Sequence, residues 1–230
     1  MNITWQGQSC FEIEHGEYRL IIDPFLTGNP MAKKSAEDVD VDYILLTHGH
    51  NDHVGDALPI AKRTGATIIA PNELAVYMGW QGAKNTHPMN IGGSYDFDFG
   101  RVKLTLAFHG SSYQPEGEEQ FLYMGMPSGM LITLGDKTLY HAGDTALFGD
   151  MKLIGEQADV ELAMLPIGDN FTMGPDDAVL AAEWVGAKHV LPMHYNTFPV
   201  IEQDPHAFIT KLEQKGIQGH VLEIGETLTL

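Results

Sequence analysis

The chain has 230 residues, 43% of them hydrophobic and 19% charged, a make-up that predicts a globular protein and excludes a disordered or fibrous one. Its 31 acidic residues outnumber 13 basic ones for a formal charge of −18, which disfavours nucleic acid and anionic membrane as partners. One cysteine, Cys10, rules out an internal disulfide, and with neither a signal-like start nor an apolar run of bilayer length the expected location is cytoplasmic.

Apolar runs punctuated by Gly, Pro and Asp predict strands at 2–5, 9–14, 18–22, 42–46, 67–70, 94–99, 102–108, 121–123, 129–134, 138–140, 161–165, 189–191 and 219–224. Helical spacing predicts helices at 54–64, 72–80, 175–186 and 204–215. The class is therefore mixed α/β. A weak echo relates Tyr18–Asp56 to Lys137–Pro175: each holds an apolar strand ending in an aspartate (Asp23, Asp144), a loop, and a second apolar strand ending in polar residues. This suggests two pseudo-duplicated α/β halves packed sheet on sheet, and the lack of a linker or low-complexity tract predicts a single domain over 1–230.

The sharpest local feature is Thr47-His48-Gly49-His50-Asn51-Asp52-His53, directly after the apolar run Tyr43–Leu46. In extended backbone His48 and His50 point the same way, and a helix beginning near Asp52 turns Asp52 and His53 back toward the same point. Neutral imidazoles with a carboxylate suit Zn²⁺, Fe²⁺ or Mn²⁺. At this chain's composition the pattern H-x-H-x-D-H arises by chance on the order of once in several hundred sequences. Further donors stand after later predicted strands: His109, Asp144 and His194. Together they make a two-metal set, one site taking His48, His50 and His109, the other Asp52, His53 and His194, with Asp144 bridging. Taken singly, each of the later three has a plainer role as a surface histidine or a helix cap.

With these residues in view, the chain resembles the metallo-β-lactamase superfamily, whose members carry H-x-H-x-D-H, a lone His, a bridging Asp and a last His in that order. Gly110-Ser111-Ser112, Pro127-Ser128-Gly129, His141-Ala142-Gly143-Asp144-Thr145 and Pro166–Pro175 are similar to its small single-domain branch of uncharacterised metal-dependent hydrolases related to the ascorbate-phosphate lactonases. The resemblance implies a four-layer αββα sandwich, a dinuclear site and hydrolysis.

A water bridging two divalent cations loses a proton near neutral pH and becomes a usable nucleophile, so the expected chemistry is hydrolysis of an ester, lactone or phosphodiester of a small soluble substrate. Asp52 is the expected proton shuttle. Two divalent ions are expected per chain, zinc first, manganese or iron as alternatives. Asp23, His141, Asp169 and Asn170 are weaker candidates: each could orient a ligand or touch substrate, and each has an equally good role in a turn or in packing. His15, His87, His189, His206 and His220 are expected on the surface, and Met124, Met126, Met130, Tyr113, Phe121 and Tyr123 in the core rather than on a pocket wall. The segment 113–119 reads either as a flap over the metals or as an inert solvated loop. Rival functions are a metal-dependent nuclease or RNA-processing phosphodiesterase, which the charge disfavours; a diiron redox protein, whose relatives typically carry glutamate at the place of His50; and a binding module merely stapled by metal, which the lack of a cysteine near the motif argues against. A homo-oligomer is compatible with the sequence and not readable from it.

Overall fold

The computed structural model describes all residues, 1–230. In chain order its first half runs β1 (Asn2–Gly7), β2 (Cys10–His15), β3 (Tyr18–Ile22), β4 (Tyr43–Leu45), α1 (Asn51–Val54), α2 (Ala57–Thr64), β5 (Thr67–Pro71), α3 (Asn72–Trp80), β6 (Thr86–Met89), β7 (Ser94–Phe97) and β8 (Gly100–Leu106). The second half runs β9 (Ser112–Tyr113), β10 (Leu122–Tyr123), β11 (Ser128–Leu134), β12 (Lys137–His141), α4 (Met151–Gln157), β13 (Val160–Pro166), α5 (Pro175–Val185), β14 (His189–Met193), α6 (Pro205–Glu213), β15 (Gln218–Gly219) and β16 (Thr227–Thr229).

Two compact units result. The first comprises Met1–Ile91, Gly110–Pro127 and Leu222–Leu230, and carries a seven-stranded mixed sheet in the order β16-β1-β2-β3-β4-β5-β6 beside the small pair β9-β10. The second comprises Gly92–His109 and Ser128–Val221, with a seven-stranded sheet in the order β15-β14-β13-β12-β11-β8-β7. In both, pairings from one edge run antiparallel three times and then parallel three times. This is the mixed α/β class expected from the sequence.

In the first unit, Ile21, Ile44, Leu46, Ile68 and Ala70 pack on Ala57, Ile60 and Ala61 of α2 and on Leu74, Ala75 and Met78 of α3. Cys10 belongs to this core, and burial, then Glu12, Asp23 and Asp56, push its thiol well above the ordinary range, so it is an inert hydrophobe. In the second unit α5 begins at Pro175 after Gly174, carries Asp176 and Asp177 in its first turn, buries Ala178, Ala181, Ala182 and Val185, and ends at left-handed Gly186. Such helices and the buried parallel strands hold the strand ends where the candidate ligands stand.

Several expectations need correction. The helix expected over 54–64 is split, because Gly55 takes φ +41° and a Cβ there would lie 2.4 Å from the Pro24 carbonyl oxygen. Asp56 restarts the chain, its Oδ2 accepting from Leu26 N and Thr27 N. Gly55→Ala is expected to destabilise the fold by about 1–3 kcal/mol in chemical denaturation. The strand expected over 219–224 is confined to Gln218–Gly219, since a turn closed by Glu226 N to Glu223 O redirects the chain toward β16. Helix α4 escapes sequence reading because Gly155 interrupts its pattern; that glycine is demanded by close approach, a Cβ there lying 2.5 Å from the Trp184 carbonyl oxygen of α5. The short strands β6, β9 and β16 are likewise not legible: each is only two to four residues long, and β16 pairs with β1 at the far end of the chain.

His189 and His220, expected on the surface, form a half-buried stacked pair with Nδ1 and Nε2 3.0 Å apart. Burial, then the neighbouring His189, hold His220 below its ordinary pKa. A depressed folded-state value means that the unfolded chain takes the proton first as pH falls. Stability is therefore expected to be full above about pH 6.5 and to decline below it. His220→Gln should flatten that decline in melting temperatures measured between about pH 5 and 7.5.

Candidate metal centre

In the first unit, β3 and β4 run parallel, so their C-terminal ends deliver Asp23 and Thr47-His48 side by side. Asp23 is fully buried with φ +44°. Its Oδ1 accepts from Thr47 N at 2.9 Å, while its Oδ2 accepts from Thr47 Oγ1 at 2.6 Å and faces His53 Nδ1 at 2.7 Å. Thr47 Oγ1 also lies 2.9 Å from His48 Nδ1. Because the threonine hydroxyl gives its own proton to Asp23, it can only accept from His48. One buried carboxylate thus fixes both imidazoles with the proton on Nδ1 and turns both Nε2 lone pairs outward.

His50, the extended residue before α1, places its Nδ1 3.0 Å from His48 Nε2. Asp52 and His53 sit in the first turn of α1, with Asp52 Oδ2 3.6 Å from His53 Nε2. Gln8 Nε2 donates to that same Asp52 oxygen at 2.9 Å. The loop is pinned from beneath: Gly49 N donates to Ser111 Oγ at 3.1 Å, and a Cβ at Gly49 would fall 2.4 Å from Met124 Cβ.

In the second unit, His109 follows β8, Asp144 follows β12 and His194 follows β14. Asp144, 2% exposed, points Oδ2 at His194 Nε2, 3.0 Å away, and at His109 Nε2, 3.4 Å away. Phe108 N donates to Thr145 Oγ1 and Ala146 N to Phe108 O, tying the segment before His109 to the turn after Asp144. His194 has φ +54°, and a Cβ on Gly168 would lie 2.3 Å from its carbonyl oxygen. Left-handed backbone at a non-glycine residue costs on the order of 1 kcal/mol and tends to mark functional positions.

Two bonds of zinc–imidazole length meeting at 90–109° set ligand atoms roughly 2.9–3.4 Å apart. The His48–His50, His194–Asp144 and His109–Asp144 pairs fall in that range, and Asp52–His53 lies slightly beyond it. The donor set of imidazoles and carboxylates therefore fits divalent metal. Asp23 is close enough to His48 and His53 to count as a donor with them, yet both its oxygens already accept hydrogen bonds; it orients the two imidazoles.

The weaker candidates resolve differently. His141 is fully buried, its Nδ1 accepting from Gly143 N at 3.1 Å, so it shapes the turn that presents Asp144. Asp169 and Asn170 are exposed at φ +58° and +31° in a turn closed by Asp169 N to Met173 O and Thr172 N to Asp169 O. Segment 113–119 includes Gln114, whose backbone N–H and carbonyl both pair with the Asn51 side chain. Met124 and Met130 are core, as expected, whereas Phe121, Tyr123 and Met126 are 72%, 70% and 55% exposed, against expectation. Sequence reading missed Gln8, Thr47 and Ser111, whose roles are set by where the backbone brings them and not by residue type.

A β-lactamase superfamily domain model matches residues 18–195. A metal-dependent hydrolase of Bacillus cytotoxicus is 62% identical over the full length of both chains, and one of Shouchella clausii is 60% identical, again over the full length of both. Among solved structures, Igni18, a metallo hydrolase from Ignicoccus hospitalis, superposes with a TM-score of 0.90 at 38% identity, covering 100% of this chain and 97% of its own. The chain belongs to the metallo-β-lactamase superfamily, among its metal-dependent hydrolases.

Proposed function

We propose that this hydrolase cleaves an ester, lactone or phosphodiester bond of a small soluble substrate, using two divalent ions held by His48, His50, Asp52, His53, His109, Asp144 and His194, with Asp144 shared. Zinc is the favoured metal and manganese or iron the alternatives, given imidazole and carboxylate donors without thiolate. The observation that carries the reading is the Asp23-anchored pair of histidines, both presenting Nε2 beside a loop that adds His50 and Asp52.

Bound there, the ions supply an acidified water and positive charge for the reacting oxygen. The chain does the rest. Asp52 takes the proton from the attacking water, and Gln8 holds the carboxylate oriented through Oδ2. Asp23 and Thr47 keep His48 and His53 in one tautomer. His141 and Thr145 hold the segment on either side of Asp144. Chromogenic esters, lactones and phosphodiesters screened against protein loaded with zinc or manganese test the reading. Turnover of at least one class by the native chain and its loss in His50→Ala is expected; equal rates for both proteins on every compound would defeat it.

A further inference from the structure

Beside α3 the first unit carries a groove of about 560 Å³, within the range of small-molecule sites. Its walls include Tyr77 and Trp80 from α3, and Phe121, Tyr123 and Met124 from the segment around β10. Trp80 is 79% exposed and Phe121 and Tyr123 are nearly as open, so a large aromatic area faces solvent where a globular chain would ordinarily cover it. One charged side chain lines the groove: Glu73, in the first turn of α3. Its carboxylate lies over Gly125, where a Cβ would come 2.4 Å from Oε2, so the left-handed glycine makes the room that the carboxylate occupies. Burial, then Tyr113 and Glu118, raise the Tyr77 phenol, which stays neutral.

Aromatic side chains lining a groove with one carboxylate, on a chain of formal charge −18, make a poor seat for an anion and a good one for an organic cation. We propose that the Glu73 groove binds an ammonium or quaternary ammonium group, the aromatic rings supplying their faces and Glu73 the counter-charge. Met124, buried at the floor of the groove, also packs on Gly49, between His48 and His50, so the groove and that loop rest on one side chain. The binding does not depend on the hydrolase reading.

The test uses the intact chain without added metal and reads the indole N–H resonance of Trp80 during titration with choline and with 3,3-dimethylbutan-1-ol, its uncharged carbon counterpart. Choline is expected to move the resonance and to bind at least about tenfold more tightly than the alcohol. Glu73→Gln should erase most of that difference while leaving the alcohol's affinity unchanged, and Trp80→Ala, at an exposed position and followed by titration calorimetry in place of the lost indole signal, should weaken both. Equal affinity for the two compounds, an unchanged preference in Glu73→Gln, or no shift with either compound would overturn the proposal. So would self-association of the chain that Trp80→Ala abolishes, which would assign the groove to a second copy. Because no turnover is measured, a negative result leaves the hydrolase reading standing, and an inactive enzyme leaves this one standing.

Discussion

Asp23→Ala is expected to be the most damaging single substitution for the fold of the first unit, lowering stability by about 3–5 kcal/mol in denaturant unfolding of the metal-free protein. The carboxylate is fully buried and meets three polar groups that have no route to bulk water: Thr47 N, Thr47 Oγ1 and His53 Nδ1. Removing it strands all three, and a buried donor without an acceptor costs about 1–3 kcal/mol. Alanine also has no side-chain compensation for φ +44°, where aspartate is among the better-tolerated residues. The milder Asp23→Asn keeps the shape, but its one oxygen serves only one end: set against Thr47 N, it leaves an NH2 facing Thr47 Oγ1 and His53 Nδ1, from neither of which it can accept. It should unfold less readily than the alanine variant and still bind zinc about 10–100-fold more weakly than the native chain, because the tautomers of His48 and His53 are no longer fixed. Native-like zinc affinity in Asp23→Asn would show that Asp23 is only a core residue.

Asp52→Asn is expected to lower kcat by about 10²–10⁴-fold on whichever substrate the screen identifies, with little change in stability. The side chain is partly exposed and accepts from Gln8 Nε2 through one oxygen, so the amide fits the same space without stranding a buried group. What it loses is the ability to accept a proton. Gln8→Ala is a graded control: it removes the bond that orients Asp52 while leaving the carboxylate, and its loss of rate should be smaller than that of Asp52→Asn. If Asp52→Asn fell no further than Gln8→Ala in kcat, the base would have to be another group.

Much of this was legible because the chemistry is local in sequence. His48, His50, Asp52 and His53 declare themselves by spacing, and Asp23, Asp144 and His194 by standing just past apolar runs that become parallel strands, whose carboxyl ends are where open sheets place functional groups. What escaped is whatever depends on partners far along the chain. Gln8 looks like an ordinary polar residue in a Gly-Gln-Ser turn; it matters only because φ +51° and the β1–β2 connection bring its amide to Asp52, 44 positions away. Thr47 offers a hydroxyl like any other until Asp23 takes its proton and obliges it to accept from His48. Gly155 reads as a helix breaker and is in fact the residue that lets α4 touch α5. Phe121 and Tyr123 have strand-like composition, yet β10 is a two-residue pair with a single neighbour and nothing to bury them, which is why an aromatic surface stands where a core was expected.

Metal counting by native mass spectrometry bears most directly on the ligand assignment. Loaded with zinc, the native chain should carry two ions, His50→Ala and His194→Ala at most one each, and His206→Ala, altered at an exposed histidine outside the set, two. A single ion on the native chain, or two retained in both His50→Ala and His194→Ala, would contradict the assignment.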